Sequence, residues 1–166
     1  AGVLVMVSGV VMNNNTRPLD PREFRGFALS DALAPLVFIN GADSKAAQMF
    51  TLAHELAHLW LGQTALSNAP MFETSGQDVE IWCNRAAAEM LAPMPEFRAA
   101  MRRDELLSDA LQRLARHFKV STLVVLRRML DAGSLNREAF WSAYRAEEAR
   151  LRAVANRNTG GGDFYR

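Results

Sequence analysis

Apolar and β-branched residues are concentrated in two stretches near the start of the chain, Val3 to Met12 and Pro35 to Asn40. Runs of this kind are typical of buried β-strands. The short apolar segment 26–29 predicts a third strand. The residues between these runs, 13–15 and 18–21, are rich in Asn and Pro, and they predict turns.

The spacing of apolar residues becomes helical after Ser44, a good N-cap, and stays helical to about Leu61, where Gly62 predicts the stop. Residues 63–76 are rich in Ser, Thr, Asn, Pro and Gly and predict a loop. Further helices are predicted over residues 77–91, 95–101, 104–118, 121–132 and 136–156. Because the strands precede the helices, we expect an α+β fold in which a small antiparallel sheet packs on a mostly helical domain.

The length of 166 residues suits one compact domain. We expect a single domain over residues 1–157, with strands in 1–40, two central helices in 44–92 and a C-terminal helical segment in 95–157. Residues 158–166 contain a Gly run and read as a linker or tail. The start at Ala rather than Met, with this Gly run near the end, suggests a fragment of a longer protein.

The sequence contains a single cysteine, Cys83, so an internal disulfide is excluded. This is compatible with a cytoplasmic location. No apolar run approaches the roughly 20 residues of a membrane span. Charge is uneven: residues 1–96 carry 5 Lys+Arg against 10 Asp+Glu, and residues 97–157 carry 13 against 7. We interpret this asymmetry first as solvated helix faces.

Candidate chemistry lies in the helix that follows Ser44, which contains the sequence His54-Glu55-Leu56-Ala57-His58. Two histidines four residues apart lie about 40° apart on one helix face, so both imidazoles can reach one Zn²⁺ ion. Glu55 projects beside the metal rather than at it, where it can act as a general base. Two satisfied core histidines are the structural alternative, but only three histidines occur in the chain.

A catalytic zinc takes three protein ligands. A third histidine six residues after His58 is excluded, because that position is Thr64. A carboxylate from the next helix remains, and Glu80 is favoured because Asn84 follows on the same face and can support a histidine ligand. The other carboxylates that stay open at this point are Glu73, Asp78 and Glu89. We interpret Cys83 as a buried side chain rather than a ligand.

The stretch from Phe50 to His58, followed by Glu80 to Pro93, resembles the ImmA/IrrE family of bacterial zinc metallopeptidases. The second motif of that family reads Glu-x-x-Ala-Asn-x-Phe-Ala-Ala-x-x-Leu-Met-Pro. This chain departs from it at Cys83, Ala86 and Ala92, which are packing positions. The likeness covers roughly residues 10–132.

The resemblance implies a zincin-like fold in which His54, His58 and Glu80 bind zinc and Glu55 is the general base. It further implies an endopeptidase that cleaves or antagonises a partner transcriptional repressor, itself a helix-turn-helix protein, in a stress or mobile-element response. Some members carry a DNA-binding domain before the peptidase domain.

The C-terminal half itself resembles a helix-turn-helix over residues 106–130, and five basic residues give this segment positive charge: Arg113, Arg116, Lys119, Arg127 and Arg128. Its second helix is very apolar around Val124 and Val125, which indicates packing rather than DNA contact. The competing function is a non-catalytic metal-binding module that binds DNA or a regulator. Glu55 favours hydrolysis, because a purely structural site needs no general base. For the oxyanion of the intermediate, the possible donors are His117, Tyr144, Tyr165 and several arginines.

Overall fold

The computed structural model describes residues 2–12, 14–67 and 78–159. Two compact units are distinguished within it. The first comprises Ala1–Pro93 with Phe118–Val120, and the second comprises Met94–His117 with Ser121–Arg166. The expected single domain over residues 1–157 stays a prediction. The last helix continues to Thr159, so it includes the first two residues of the segment 158–166 that we expected to be a linker or tail. The Gly-rich remainder, residues 160–166, lies outside the described residues.

The first unit contains the β-structure. Its strands are β1 (Leu4–Ser8), β2 (Val10–Val11), β3 (Asn14–Pro18), β4 (Gly26–Leu29), β5 (Leu36–Asn40) and β6 (Ala65–Ser67). Four of them form a sheet in the order β1-β5-β4-β6, and β2 pairs with β3 as a separate ribbon. The expected combination of strands followed by helices in an α+β fold is confirmed.

The sheet is mixed rather than antiparallel, so the expected antiparallel pairing was wrong for one strand. β1 runs parallel to β5, with Met6 opposite Phe38, whereas β4 pairs antiparallel with both β5 and β6. Parallel neighbours need a long crossover connection. Here the crossover from β1 to β5 consists of the β2–β3 ribbon and β4.

Three local expectations were also wrong in part. The predicted strand from Val3 to Met12 is divided at Gly9 into β1 and β2. The predicted turn at residues 13–15 overlaps β3, which pairs with β2 although its residues are mostly polar. The predicted loop at residues 63–76 contains β6, and residues 68–76 of that loop lie outside the described part of the chain.

The main helix of the first unit, α1 (Lys45–Trp60), begins and ends as predicted. The Ser44 side chain accepts a hydrogen bond from the backbone N–H of Ala47, which caps the first turn. Gly62 follows the end of the helix with φ of 67°, a left-handed conformation that favours glycine. α1 packs on β4 and β5 on one side and on α2 (Asp78–Leu91) on another. The predicted helix over residues 77–91 is thereby confirmed.

The second unit is helical. Its helices are α3 (Met94–Ala100), α4 (Leu107–Phe118, whose last residue is grouped with the first unit), α5 (Thr122–Asp131) and α6 (Arg137–Thr159). α4 and α5 are joined by a short turn in which Lys119 has φ of 58°. Ser121 caps α5 by accepting a hydrogen bond from the backbone N–H of Val124. The helix-turn-helix sequence thus forms two helices around a tight turn.

Most of the surface of α5 is buried. Val124, Val125 and Leu126 are fully buried, and α5 packs on α6. A recognition helix needs a solvent-exposed face to enter a major groove. The apolar character of this helix is therefore explained by packing. No helix in the described residues combines the length and apolar character that a membrane span requires.

Candidate metal centre

His54 and His58 lie one turn apart on the side of α1 that faces the interior of the first unit. Both residues are buried, with exposed fractions of 6% and 1%. Their Nε2 atoms are 3.0 Å apart, so both rings direct the same nitrogen toward one point. This is the arrangement that the four-residue spacing on a helix predicts.

Glu80 joins the two histidines from the first turn of α2. One carboxylate oxygen lies 3.2 Å from His54 Nε2, and the other lies 3.2 Å from His58 Nε2. Because α2 packs directly on α1, the carboxylate enters the histidine pair from the neighbouring helix. The three side chains form one cluster, to which each contributes a potential ligand atom within 4.8 Å of the others.

The donor atoms of this cluster fit a small tetrahedral cation. Ligand atoms about 2.0 to 2.1 Å from a tetrahedral zinc are separated from each other by about 3.3 Å. The observed separations of 3.0 and 3.2 Å are close to that value. Two imidazoles and one carboxylate are also a set of protein ligands that catalytic zinc takes.

The electrostatics of the cluster favour ligands in their metal-binding forms. Burial lowers the pKa of His58, and His54 lowers it further, although Glu80 opposes this change. The hydrogen bond with His54 lowers the pKa of the Glu80 carboxyl, against the effect of burial. A neutral imidazole and an ionised carboxylate are the forms that bind a metal.

Glu55 is adjacent to His54 in sequence and has an exposed fraction of 0%. On an α-helix its side chain is rotated by about 100° from that of His54 and by about 60° from that of His58. A Cβ atom built on Gly26 of β4 would lie 3.5 Å from Glu55 Oε1, so the carboxylate is on the side of α1 that faces β4. Its role as general base stays a prediction.

Two of the other carboxylates considered for the third ligand are described by the structure, and neither is part of this cluster. Asp78 and Glu89 are both exposed on α2. Glu73 lies outside the described residues. Asn84 is half-buried one turn after Glu80, and its support of a histidine stays a prediction.

Cys83 is completely buried on α2, so the expectation of a buried thiol is confirmed. Burial raises the pKa of this thiol to about 12, and the nearby carboxylates of Glu80 and Glu55 contribute to the increase. Since only the thiolate binds metals well or reacts as a nucleophile, the side chain is inert at neutral pH.

The candidate oxyanion donors belong to the second unit or lie outside the described residues. His117 is exposed near the end of α4, and Tyr144 is buried on α6 against Phe140 and Trp141. Tyr165 lies outside the described part of the chain.

Sequence reasoning missed two residues that contact the region around Glu55. Thr51 lies one turn before Glu55 on α1 and is buried. Gly26, at the start of β4, lies directly against both residues. The available signal was a glycine inside a predicted strand, which often marks a close approach of another element.

Comparison with known protein families agrees with this geometry. The model of the IrrE N-terminal-like domain, the peptidase family M78, matches residues 3–130. That match includes β1, α1, α2 and the whole His54–His58–Glu80 cluster. No curated protein sequence matches the chain. Because the match covers most of the chain, this protein belongs to the M78 metallopeptidase family with an IrrE N-terminal-like domain, the ImmA/IrrE family.

Proposed function

We propose that the protein is a zinc-dependent endopeptidase of the ImmA/IrrE type that cleaves or antagonises a partner transcriptional repressor in a bacterial stress or mobile-element response. Membership of a metallopeptidase family supports the general activity. The observation that carries the proposal is the fully buried carboxylate of Glu55 beside a convergent set of three potential metal ligands.

His54, His58 and Glu80 hold the zinc in this proposal. When bound, the metal supplies a Lewis acid that polarises the scissile carbonyl and makes water acidic enough to lose a proton near neutral pH. A closed structural site has four protein ligands, whereas a catalytic site has three. The cluster offers three within the described ranges, which fits the catalytic class.

Glu55 accepts the proton of the attacking water and then delivers it to the leaving amine. General acid–base catalysis needs a group held at hydrogen-bond distance from the reacting proton. Glu55 is completely buried in α1, and close packing of this kind limits the conformations open to its side chain. To act as a ligand itself, it would have to bend back toward an ion already held by its helix neighbours.

A protein substrate follows from the peptidase family, and a helix-turn-helix repressor follows from the resemblance to ImmA/IrrE proteins. The repressor acts on DNA in the cytoplasm, so this is where we place the activity. Burial of α5 favours a protein partner over direct DNA contact by this chain, because the helix offers no open face for a groove.

The test compares the zinc-loaded protein with its Glu55→Gln variant. Gln keeps the size and shape of Glu but has no basic carboxylate. We expect near-normal zinc content and fold, with cleavage of a co-encoded repressor reduced by roughly a hundredfold or more. Metal content is measured by elemental analysis, and cleavage is followed by gel and mass spectrometry.

Cleavage by Glu55→Gln at the parent rate would show that Glu55 is not the base. A parent that cleaves no candidate repressor yet binds one tightly would instead support a non-catalytic regulatory module, the competing function. The paired measurement of metal and cleavage separates these results, since the regulatory module also retains its metal.

A further inference from the structure

Gly26 occupies the position where the sheet comes closest to α1. A Cβ atom at this residue would lie 2.5 Å from the Thr51 methyl carbon and 2.7 Å from the Phe38 carbonyl oxygen. It would also lie 3.5 Å from Glu55 Oε1. Real side chains do not make contacts as short as the first two. α1 can therefore pack this close to β4 only because residue 26 has no side chain.

Backbone conformation does not explain this glycine. Among the described glycines only Gly62 and Gly133 have a positive φ, so Gly26 has a conformation open to any residue. β4 also lies between β5 and β6, with Gly26 opposite Ile39 of β5 and Ser67 of β6. Strand pairing on both sides therefore limits how far residue 26 could shift away from α1.

The face of α1 that contacts Gly26 is the face that carries the candidate base. Thr51 and Glu55 are four residues apart, so they lie about 40° apart and one turn along the helix. His58 lies within about 20° of Thr51 on the same projection. The distance between β4 and this turn of α1 therefore determines where the Glu55 carboxylate lies relative to the histidine pair.

We propose that Gly26 is a positioning residue for the peptidase reaction: by allowing β4 to contact α1, it places the Glu55 carboxylate next to the metal ligands. This rests on the proposed function, in which Glu55 is the base. Metal ligands can follow an ion through small side-chain rotations. A base must meet its proton within a few tenths of an ångström, so an error of about 1 Å costs roughly a hundredfold in rate.

The principal test substitutes Gly26→Ala in the full chain. We expect one zinc per folded chain, as in the parent, and a KM within about twofold. The kcat should fall by roughly tenfold to a hundredfold, because the added methyl displaces the Thr51–Glu55 turn. Replacing zinc by cobalt gives a visible spectrum that checks the ligand geometry independently of activity.

A second variant relieves the contact from the helix side. Thr51→Ser removes only the methyl group that the new Cβ would meet and keeps the hydroxyl. Alone, this change should leave kcat near the parent value. Combined with Gly26→Ala, it should restore kcat at least severalfold relative to the single Gly26→Ala variant.

Gly41→Ala is the matched control for a tight glycine contact in the same unit. The three atoms nearest to its Cβ would be backbone atoms of Gly9 and Ser8, each at 3.0 Å, and a Val7 methyl carbon at 3.3 Å, whereas Glu55 is among the nearest three at Gly26. We expect reduced stability but an unchanged kcat per folded chain. A kcat loss equal to that of Gly26→Ala would overturn the proposal, because it would reflect general damage to the fold.

The proposal is also overturned if Gly26→Ala retains the parent kcat, loses its zinc together with its activity, or is not improved by Thr51→Ser. A crystal structure of Gly26→Ala supplies a readout without activity. The Glu55 carboxylate should move relative to the two histidine Nε2 atoms by about 0.5 Å or more, the tolerance of a functional site. An unmoved carboxylate contradicts the positioning role, whereas a displaced carboxylate in a protein whose parent never cleaves contradicts only the proposed function.

Discussion

α1 and α5 begin in the same way, yet they bury very different side chains. Each is capped by a serine hydroxyl that accepts a hydrogen bond three residues later, Ser44 in α1 and Ser121 in α5. Each is buried over most of its surface. The buried residues of α1 include Gln48, Thr51, His54, Glu55 and His58, and those of α5 include Val124, Val125, Leu126 and Met129.

The polar residues buried by α5 have a structural explanation within the second unit. Thr122 donates a hydrogen bond to Glu147, whose carboxyl pKa is lowered mainly by its hydrogen bonds with Arg150. Arg128 lies 3.8 Å from Asp131, one turn further along α5. These contacts lie within the second unit and compensate for the burial of charge.

In α1, Gln48 is similarly satisfied, because it donates to the carbonyl oxygens of Gly41 and Asp43. The histidine pair differs, since both rings direct Nε2 at each other and at one carboxylate. Three electron-donating groups directed at one point are expected of a metal site and not of a core. Buried polar residues therefore do not by themselves indicate a functional site, whereas polar groups that converge on one point do.

We expect the largest effect on zinc binding from substitution of Glu80, in contrast to substitution of Glu89 on the same helix. Glu80→Ala should weaken zinc binding by more than about a hundredfold, since loss of a direct ligand exceeds the usual cost of losing a supporting residue. Glu89→Ala, at an exposed position, should change zinc affinity by less than about threefold. Competition with a chromophoric chelator measures both. The reverse order would show that the cluster of α1 and α2 is not the metal site.

A substitution in the core of α5 should instead lower stability and leave zinc binding unchanged. Leu126 is fully buried, so Leu126→Ala should lower the free energy of unfolding by about 2 to 5 kcal/mol. Zinc content per folded chain should stay at the parent value. Denaturant unfolding followed by elemental analysis provides the comparison, with the half-buried Leu123→Ala as a milder control. Zinc loss in folded Leu126→Ala would show that α5 also affects the metal centre, contrary to the difference described for the two helices.

Local sequence rules predicted the parts of the fold that depend on local interactions. Ser44 and Gly62 mark the ends of α1 because capping and left-handed φ are properties of single residues. The approach of Glu80 to the histidines was also predictable, since α2 follows α1 and carries few suitable carboxylates. Even here, Glu89 was excluded only by its exposed position in the structure.

Pairing between distant segments was not predictable in the same way. β3 begins with two asparagines, which have low strand preference, and it forms because its backbone pairs with β2. The parallel pairing of β1 with β5 depends on which segments meet in space. Gly26 could be recognised as a glycine in a strand, but its contact with Thr51 and Glu55 needs the packed helix.

The smallest expected effect tests the feature that α1 and α5 share. Ser44→Ala and Ser121→Ala each remove a side-chain acceptor that lies 3.3 Å from a backbone nitrogen. Each should lower stability by about 1 kcal/mol, and neither should alter zinc content. Thermal unfolding of the two variants beside the parent measures this. A loss of zinc in Ser44→Ala alone would mean that the start of α1 contributes to the metal centre.

The assignment of the metal centre is tested most simply by the zinc content of the purified protein and of His54→Ala, measured by elemental analysis after mild dialysis. We expect about one zinc per chain in the parent, because the cluster forms a single site, and essentially none in the variant. A chelator should also lower the thermal unfolding midpoint of the parent but not that of His54→Ala, since bound metal stabilises only a protein that binds it. Equal zinc content in both proteins would contradict the assignment of this metal centre.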